Sequence, residues 1–325
     1  MDAFTFDDIN LISKESSVRS GEVALATDLG FSEYGPYNFL RLPLISAAMD
    51  TVTEVPMMQA MRDLGAIGMH HRYRMIKEEL FEVSKYGIIA VSPSMGFDFI
   101  YELSDCNPHA IVKIDVANGE LDRALQYADW CNQYGLDIIS GNVTTLEAAL
   151  KYVVRGCRTI SVGQGNGGAC STRMVTGFGY PQASAILNMR PLKAAGIKII
   201  ADGGIRNSGD LVKALALGAD AVILGSLLAG CDETPGKNNN GYKNFRGMAS
   251  AEALESAGKE VRPEGVSTKV PARGPVADVI NDLVDSVKLA IGKYGGCRTI
   301  PEFQEKVEWI RISQAAYEEG KPRYE

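Results

Sequence analysis

The chain has 325 residues, 46% hydrophobic and 22% charged, enough to bury one large α/β core or two ordinary ones. A formal net charge of −7 argues against nucleic acid or an anionic membrane as partner, while leaving room for a local phosphate pocket. There is no bilayer-length apolar run and no signal-peptide pattern; six cysteines without CxxC spacing and only three histidines read as free thiols in a reducing cytoplasm rather than a zinc site.

In chain order, short β-rich runs alternate with amphipathic stretches. LPLISAA (42–48) is followed by helical spacing over Val55–Leu64, then by AIGMHH (66–71), GIIAVS (87–92) and AIVKIDV (110–116). Helical Leu121–Tyr134 leads to DIISGNV (137–143), and helical Leu146–Val154 to RTISVG (158–163). KIIADGG (198–204) precedes a helix over Gly209–Leu217, capped at Asn207-Ser208. AVILGS (221–226) and a last helix over Val279–Tyr294 complete the series. Most runs begin roughly 21 to 27 residues after the one before, the length of a strand-plus-helix unit. Buried parallel strands read as continuous apolar runs, as these do. Eight of them alternating with helices predict a (β/α)8 TIM barrel over residues 1–325, with a doubly wound open sheet as the alternative.

Two connections break the rhythm, about 35 residues after the sixth run and about 50 after the eighth, and connections of that length are functional or disordered. Both leave the C-terminal ends of strands, where barrel active sites are built. The second, 236–275, reads as an active-site flap with KNNNG (237–241) as its exposed tip, or alternatively as a disordered surface insertion.

The densest candidate chemistry lies in IIADGGIRNSGDLVKALALGADAVILGSLLAG (199–230). Gly203-Gly204 and Gly225-Ser226 fall at two adjacent strand ends, where bare N–H groups can cradle a phosphate. Asp202 could accept hydrogen bonds from ribose hydroxyls. GQGNGGACSTR (163–173) is a glycine-rich loop that delivers Cys170 to the same rim, with Thr172 two residues on. Peptide N–H dipoles there favour a thiolate, and a loop that can move suits a nucleophile better than a core thiol. LISAAMDTV (44–52) ends the first strand with Ser46 and Met49, which could form a flat wall or simply core. KIDVANG (113–119) and HHRYR (70–74) offer Asp115, Asn118 and His71 at strand ends, and RPEG (262–265) places Glu264 in the flap, on its own a surface charge.

With these residues in view, the chain resembles the IMP dehydrogenase/GMP reductase family over nearly its whole length. TFDDINL, LPLISAAMDTVTE, the GxGxxxxC loop, IIADGGIR, ILGSLLAG and FRGMAS correspond to it in order. The resemblance implies a homotetrameric barrel that binds a purine nucleoside 5′-monophosphate. Cys170 would be the nucleophile at C2 of the base and Asp202 would hold the ribose. Gly203, Gly204, Gly225 and Ser226 would hold the phosphate. Ser46, Met49, Arg246, Gly247, Met248 and Ala249 would complete the nucleotide site, the last two touching the base from the flap. His71, Asp115, Ala117 and Asn118 would face a nicotinamide cofactor, and carbonyls at Gly163, Gly165 and Cys170 a potassium ion.

Within the family, CSTRMVTGFGYPQ (170–182) and IDVANG resemble the reductase. In reductases a threonine two residues after the cysteine and a flap glutamate handle ammonia, the positions of Thr172 and Glu264. No regulatory CBS insertion follows the second strand, and Ala251–Arg262 lacks the Arg-Tyr pair with which dehydrogenases activate water. AAMDTVTE and VRPEGV are closer to bacterial dehydrogenases; Gly168 replaces a common serine and His71 a common lysine. The resemblance therefore implies a cytoplasmic, NADPH-dependent GMP reductase. An IMP dehydrogenase without CBS domains and an inactive purine-nucleotide-binding protein are the alternatives.

Overall fold

The computed structural model describes residues 3–322 apart from Ala257 and Lys259. Those two residues of the flap, and the outermost residues of the barrel read over 1–325, lie outside the described residues. Eight parallel strands close into a ring: β1 (Leu44–Ser46), β2 (Ile67–His70), β3 (Ile88–Val91), β4 (Ile111–Ile114), β5 (Asp137–Val143), β6 (Thr159–Val162), β7 (Lys198–Asp202) and β8 (Ala221–Leu224). β8 returns to β1, with Val222 beside Leu44 and Leu224 beside Ser46. All eight runs expected from the sequence are strands, and the closed ring excludes the open-sheet alternative.

The helices used below are α1 (Val55–Leu64), α2 (Lys77–Val83), α3 (Gly96–Cys106), α4 (Asp122–Gln133), α5 (Leu146–Val153), α6 (Thr172–Thr176), α7 (Gln182–Met189), α8 (Ser208–Leu217), α9 (Ala251–Ser256) and α10 (Val276–Leu289). α8 begins where expected, because the Asn207 side chain accepts the Asp210 N–H at 2.9 Å and satisfies an orphan donor of the first turn. α10 starts earlier than its periodicity suggested, and Ala290–Tyr294 continues it as a π-helical turn.

Inward-facing Ile45, Ile67, Ile88, Ile111, Ile139, Ile200 and Ile223 fill the barrel. Leu29, Phe31, Tyr37 and Leu40 join the same cluster and plug one end. That end is the bottom: the Ser32 N–H donates to Asp137 at the start of β5 (2.8 Å), and the Thr159 hydroxyl at the start of β6 donates to the Leu29 carbonyl (2.5 Å). The open mouth therefore lies at the C-terminal ends of the strands. Outside the ring, α3, α4, α5 and α7 cover β3 to β6, while α1, α8 and α10 cover the rest. Leu215 in α8 has no exposed surface. Leu215→Ala is expected to lower unfolding stability by about 2–5 kcal/mol, through lost transfer energy and the cavity left behind. Chemical denaturation checks this; a loss below about 1 kcal/mol would mean that the site can collapse around the smaller side chain.

The chain after β8 is more ordered than a loose flap. β9 (Tyr242–Arg246) and β10 (Ser267–Pro271) pair antiparallel and carry α9 and the Glu264 loop between them. The buried Lys243 ammonium fastens this hairpin to the barrel, donating to the carbonyls of Cys231 (2.9 Å), Asp232 (3.3 Å) and Thr234 (2.7 Å). Residues 237–241 form an exposed tip, as expected from KNNNG. No helix among the described residues is long and apolar enough to cross a membrane.

Candidate active site

β6 runs into the cysteine loop at Gly163. A Cβ there would sit 2.2 Å from the Asp202 carbonyl, and φ is +139°, so only glycine lets the loop pass this close to the end of β7. Beyond it the loop is braced rather than loose. Asn166 donates to Gln182 (2.6 Å), Arg173 donates to Asn166 (2.6 Å), and Gln164 donates to the Ala117 carbonyl (3.0 Å). The expectation of a mobile loop followed from its glycines; polar side chains flanking them do the holding.

Cys170 is exposed at the mouth. Its thiol donates to Thr172 Oγ1 at 3.2 Å, and the Thr172 hydroxyl donates to Glu264 Oε2 at 2.9 Å. Thr172 stands at the start of α6, and Glu264 arrives from the hairpin. Backbone bonds set their separation: the Ser171 N–H donates to the Glu264 carbonyl (2.8 Å), and the Glu264 N–H to the Ala249 carbonyl (2.9 Å). The hairpin presses close at Gly247, where a Cβ would meet the Ala169 carbonyl at 2.6 Å. A thiol, a hydroxyl and a carboxylate in series can pass a proton from sulfur to oxygen and return it.

The glycine turns converge on the same mouth. A methyl group at Gly203 would lie 3.1 Å from the Gly167 nitrogen, and one at Gly168 would lie 3.5 Å from the Ser226 side chain. One at Gly225 would lie 3.2 Å from the Met49 sulfur. Met248 reaches the same rim, its sulfur accepting the Asp50 N–H (3.3 Å) and its carbonyl the Tyr73 hydroxyl (2.9 Å). The β7 turn, the β8 turn, the cysteine loop and the hairpin thus come together at one rim, with Met49 and Met248 beside them.

Other expected site residues are otherwise engaged. Ser46 is fully buried and accepts the Thr53 hydroxyl (2.9 Å), so it braces the first βα turn and offers a ligand no surface. Arg246 forms an ion pair with Asp50, pinning the hairpin to the β1 loop. His71 is buried, its Nδ1 accepting the Tyr73 N–H (3.2 Å) and its Nε2 lying 3.7 Å from Glu54. Asn118 accepts the Glu120 N–H within its own exposed turn, beside exposed Ala117. Asp115 pairs with Arg72, and Arg72, Tyr73, Arg74, Ser92 and Ser94 line an adjoining cavity of about 350 Å³.

Sequence reasoning missed what lies beneath. Lys113 on β4 and Asn142 on β5 form a buried polar layer under Asp202: Lys113 donates to Asn142 (2.7 Å), which donates to Asp202 (2.9 Å). Desolvation raises the Asp202 carboxyl above the usual carboxylate range, against the pull of Lys113 and the Asn142 amide. Burial likewise lowers Lys113, against the pull of Asp202 and Asp115. The signal was available, because a lysine inside AIVKIDV is out of place in a fully buried strand.

Fold and site together define a (β/α)8-barrel protein whose mouth brings a hydrogen-bonded Cys170–Thr172–Glu264 chain beside the glycine turns after β7 and β8. The chain belongs to the IMP dehydrogenase / GMP reductase domain family, which matches residues 3–88 and 99–323. It is 30% identical over 396 residues to the inosine-5′-monophosphate dehydrogenase of Borreliella burgdorferi, covering 99% of this chain and 96% of that protein. The like-named protein of Cryptosporidium parvum is 32% identical, covering 97% and 94%. That of Aquifex aeolicus is 41% identical over 227 residues, covering 65% of this chain and 46% of that protein, so the chain spans about half the length of some of its relatives.

Proposed function

We propose that this chain is a purine-nucleotide oxidoreductase of the reductase type, converting GMP to IMP and ammonia. The observation that carries it is the Cys170–Thr172–Glu264 relay at 3.2 and 2.9 Å, opening on the glycine cradle. The cradle takes the 5′-phosphate at Gly203, Gly204, Gly225 and Ser226, Asp202 accepts from the ribose, and Met49 and Met248 flank the base. As Cys170 adds to C2, its thiol proton passes through Thr172 to Glu264. The same path returns the proton to the 2-amino group, which departs as ammonia and leaves the purine bonded to sulfur through a C2 thioimidate. NADPH, when bound, supplies the hydride that replaces sulfur at C2. Cys170 then leaves as thiolate and is reprotonated from solvent, so that GMP, NADPH and one proton give IMP, ammonia and NADP.

The cavity beside Asp115 supports this reading in its chemistry: Arg72, Arg74, Ser92 and Ser94 suit a phosphate of the dinucleotide, and Tyr73 links its wall to Met248. Potassium at the Gly163, Gly165 and Cys170 carbonyls is part of the proposal; the Gly163 carbonyl also accepts the Asn142 amide (2.9 Å), which leaves its second lone pair for the ion. A single-barrel homotetramer is part of the proposal, checked by light scattering on the purified chain.

IMP dehydrogenase activity is the second reading, favoured by the names of the relatives. There the same thioimidate forms by hydride loss and is hydrolysed, which needs a base for water. The described flap residues from Ala251 to Arg262 include glutamates and an exposed arginine but no tyrosine. Incubation with GMP and NADPH is expected to consume NADPH and release equimolar ammonia. Reduction of NAD by IMP, with no reaction in the first mixture, would reverse the assignment; binding of both nucleotides without either reaction would leave a nucleotide-binding protein.

A further inference from the structure

We propose that Lys113 is a positioning residue that anchors Asn142 from below, so that its amide stays on Asp202, the acceptor for the nucleotide. The inference rests on the reading of Asp202 as the ribose ligand. Ile111 belongs to the barrel interior, while Val112 and Ile114 belong to the outer layer, so alternation along β4 turns Lys113 inward. It is 3% exposed, and a buried ammonium without partners is costly. Its Nζ donates to the Ile114 carbonyl (2.8 Å) and to Asn142 Oδ1 (2.7 Å). Asn142 Oδ1 also accepts the Ser161 hydroxyl (3.1 Å), and its Nδ2 donates to the Gly163 carbonyl and to Asp202 Oδ2, each at 2.9 Å. The network crosses the barrel from β4 through β5 and β6 to β7.

Its polarity is fixed from both ends. An ammonium can only donate, so the Asn142 oxygen faces Lys113, while the Gly163 carbonyl and the Asp202 carboxylate can only accept and so take the amide N–H groups. Without the ammonium the oxygen end keeps only the Ser161 hydroxyl, and the side chain that holds an N–H on Asp202 is less firmly anchored. Charge acts in the same direction. Asp202 faces Lys113 and Asp115, and Lys113 faces Asp202, Asp115 and Arg72. Desolvation already raises Asp202, and losing the opposing Lys113 charge raises it further. A carboxyl raised further keeps its proton to higher pH, and a protonated carboxyl is a poorer acceptor for ribose hydroxyls.

The test is calorimetric titration of the full chain with GMP and with IMP, across pH. Lys113→Met is expected to weaken both by about tenfold near pH 7, and to move the acid limb of binding, where Asp202 protonates, to higher pH. Iodoacetamide alkylation of Cys170 should stay within about twofold of the parent, since the network meets the cysteine loop only at the Gly163 backbone and Gln182 and Asn166 brace the loop beyond it. Lys113→Gln keeps a donor for Asn142 but no charge, and serves if the methionine variant fails to fold; its acid limb should move up as well. Unchanged affinity and an unmoved limb in whichever variant folds would overturn the inference. Asp202→Asn separates the two readings. If it binds like the parent, the ribose assignment fails; if it binds weakly while Lys113→Met binds normally, the role of Lys113 alone fails. In the Asp202→Asn background, Lys113→Met should add less than about threefold.

Discussion

Cys170→Ser is expected to bind GMP within about threefold of the parent, yet to turn over at least about 10³-fold more slowly. The geometry separates binding from chemistry. The proposed phosphate cradle is backbone at Gly203, Gly204 and Gly225 with the Ser226 side chain, and none of these is bonded to the thiol. Serine keeps the shape and can still donate to Thr172, but an alkoxide is far harder to form than a thiolate and a far poorer leaving group. Both halves of the proposed cycle therefore slow: addition to C2 needs the nucleophile, and hydride replacement needs sulfur to leave. Two further readouts fix the interpretation. Intact-mass measurement of the parent mixed with GMP should show an adduct on the Cys170 peptide with the mass of the nucleotide less ammonia, and the serine variant should show none. Retained turnover in the variant, or an adduct on another cysteine, would remove Cys170 from the mechanism. Cys131, Cys157, Cys231 and Cys297 are buried, and burial pushes their thiols upward, so only exposed Cys106 is a realistic competitor.

The barrel was legible because strands buried on both faces leave uninterrupted apolar runs, and because α1, α4 and α5 each carry a one-sided apolar stripe. Segments whose structure comes from distant partners were not. Ile9–Ile12 pairs with Glu308–Arg311 across almost the whole chain, and β9 pairs with β10 across the Glu264 loop. No local period announces either pairing. Glycine turns and the cysteine could be placed on one rim because each follows a strand. Their supports could not, since Asn166, Arg173 and Gln182 meet only after the cysteine loop folds back on α7. Ser46 and His71 show the opposite limit. Their positions at strand ends suggested ligand contacts, but the side chains turn inward to Thr53 and toward Tyr73 and Glu54. A strand end fixes where a residue is, while the pleat and the neighbouring turn decide which way it faces.

Glu264→Gln should lower kcat by about 10² to 10⁴-fold while leaving the Kd for GMP nearly unchanged. Glutamine has the length and shape of glutamate, and its carbonyl can still accept the Thr172 hydroxyl, so the 2.9 Å contact and the hairpin geometry should survive. What it lacks is a site for the thiol proton and a means of returning that proton to the departing amino group. The loss should therefore fall on the proton-coupled half of the cycle. With cofactor deuterated at the transferred position, the parent should show whatever isotope effect its hydride step contributes, and the glutamine variant should show one closer to unity, because ammonia release limits it. Glu264→Asp, one methylene short of Thr172, should lie between parent and glutamine. Thr172→Val should resemble Glu264→Gln, and combining the two should cost little more than either alone, since both break one path. A structural role would give a different pattern: the loss would appear in Kd, the isotope effect would not fall, and the double variant would show the product of the single effects. A Glu264→Gln enzyme within about threefold of the parent would mean that solvent, not the carboxylate, handles the proton, and the reductase reading would lose the residue pair that supports it.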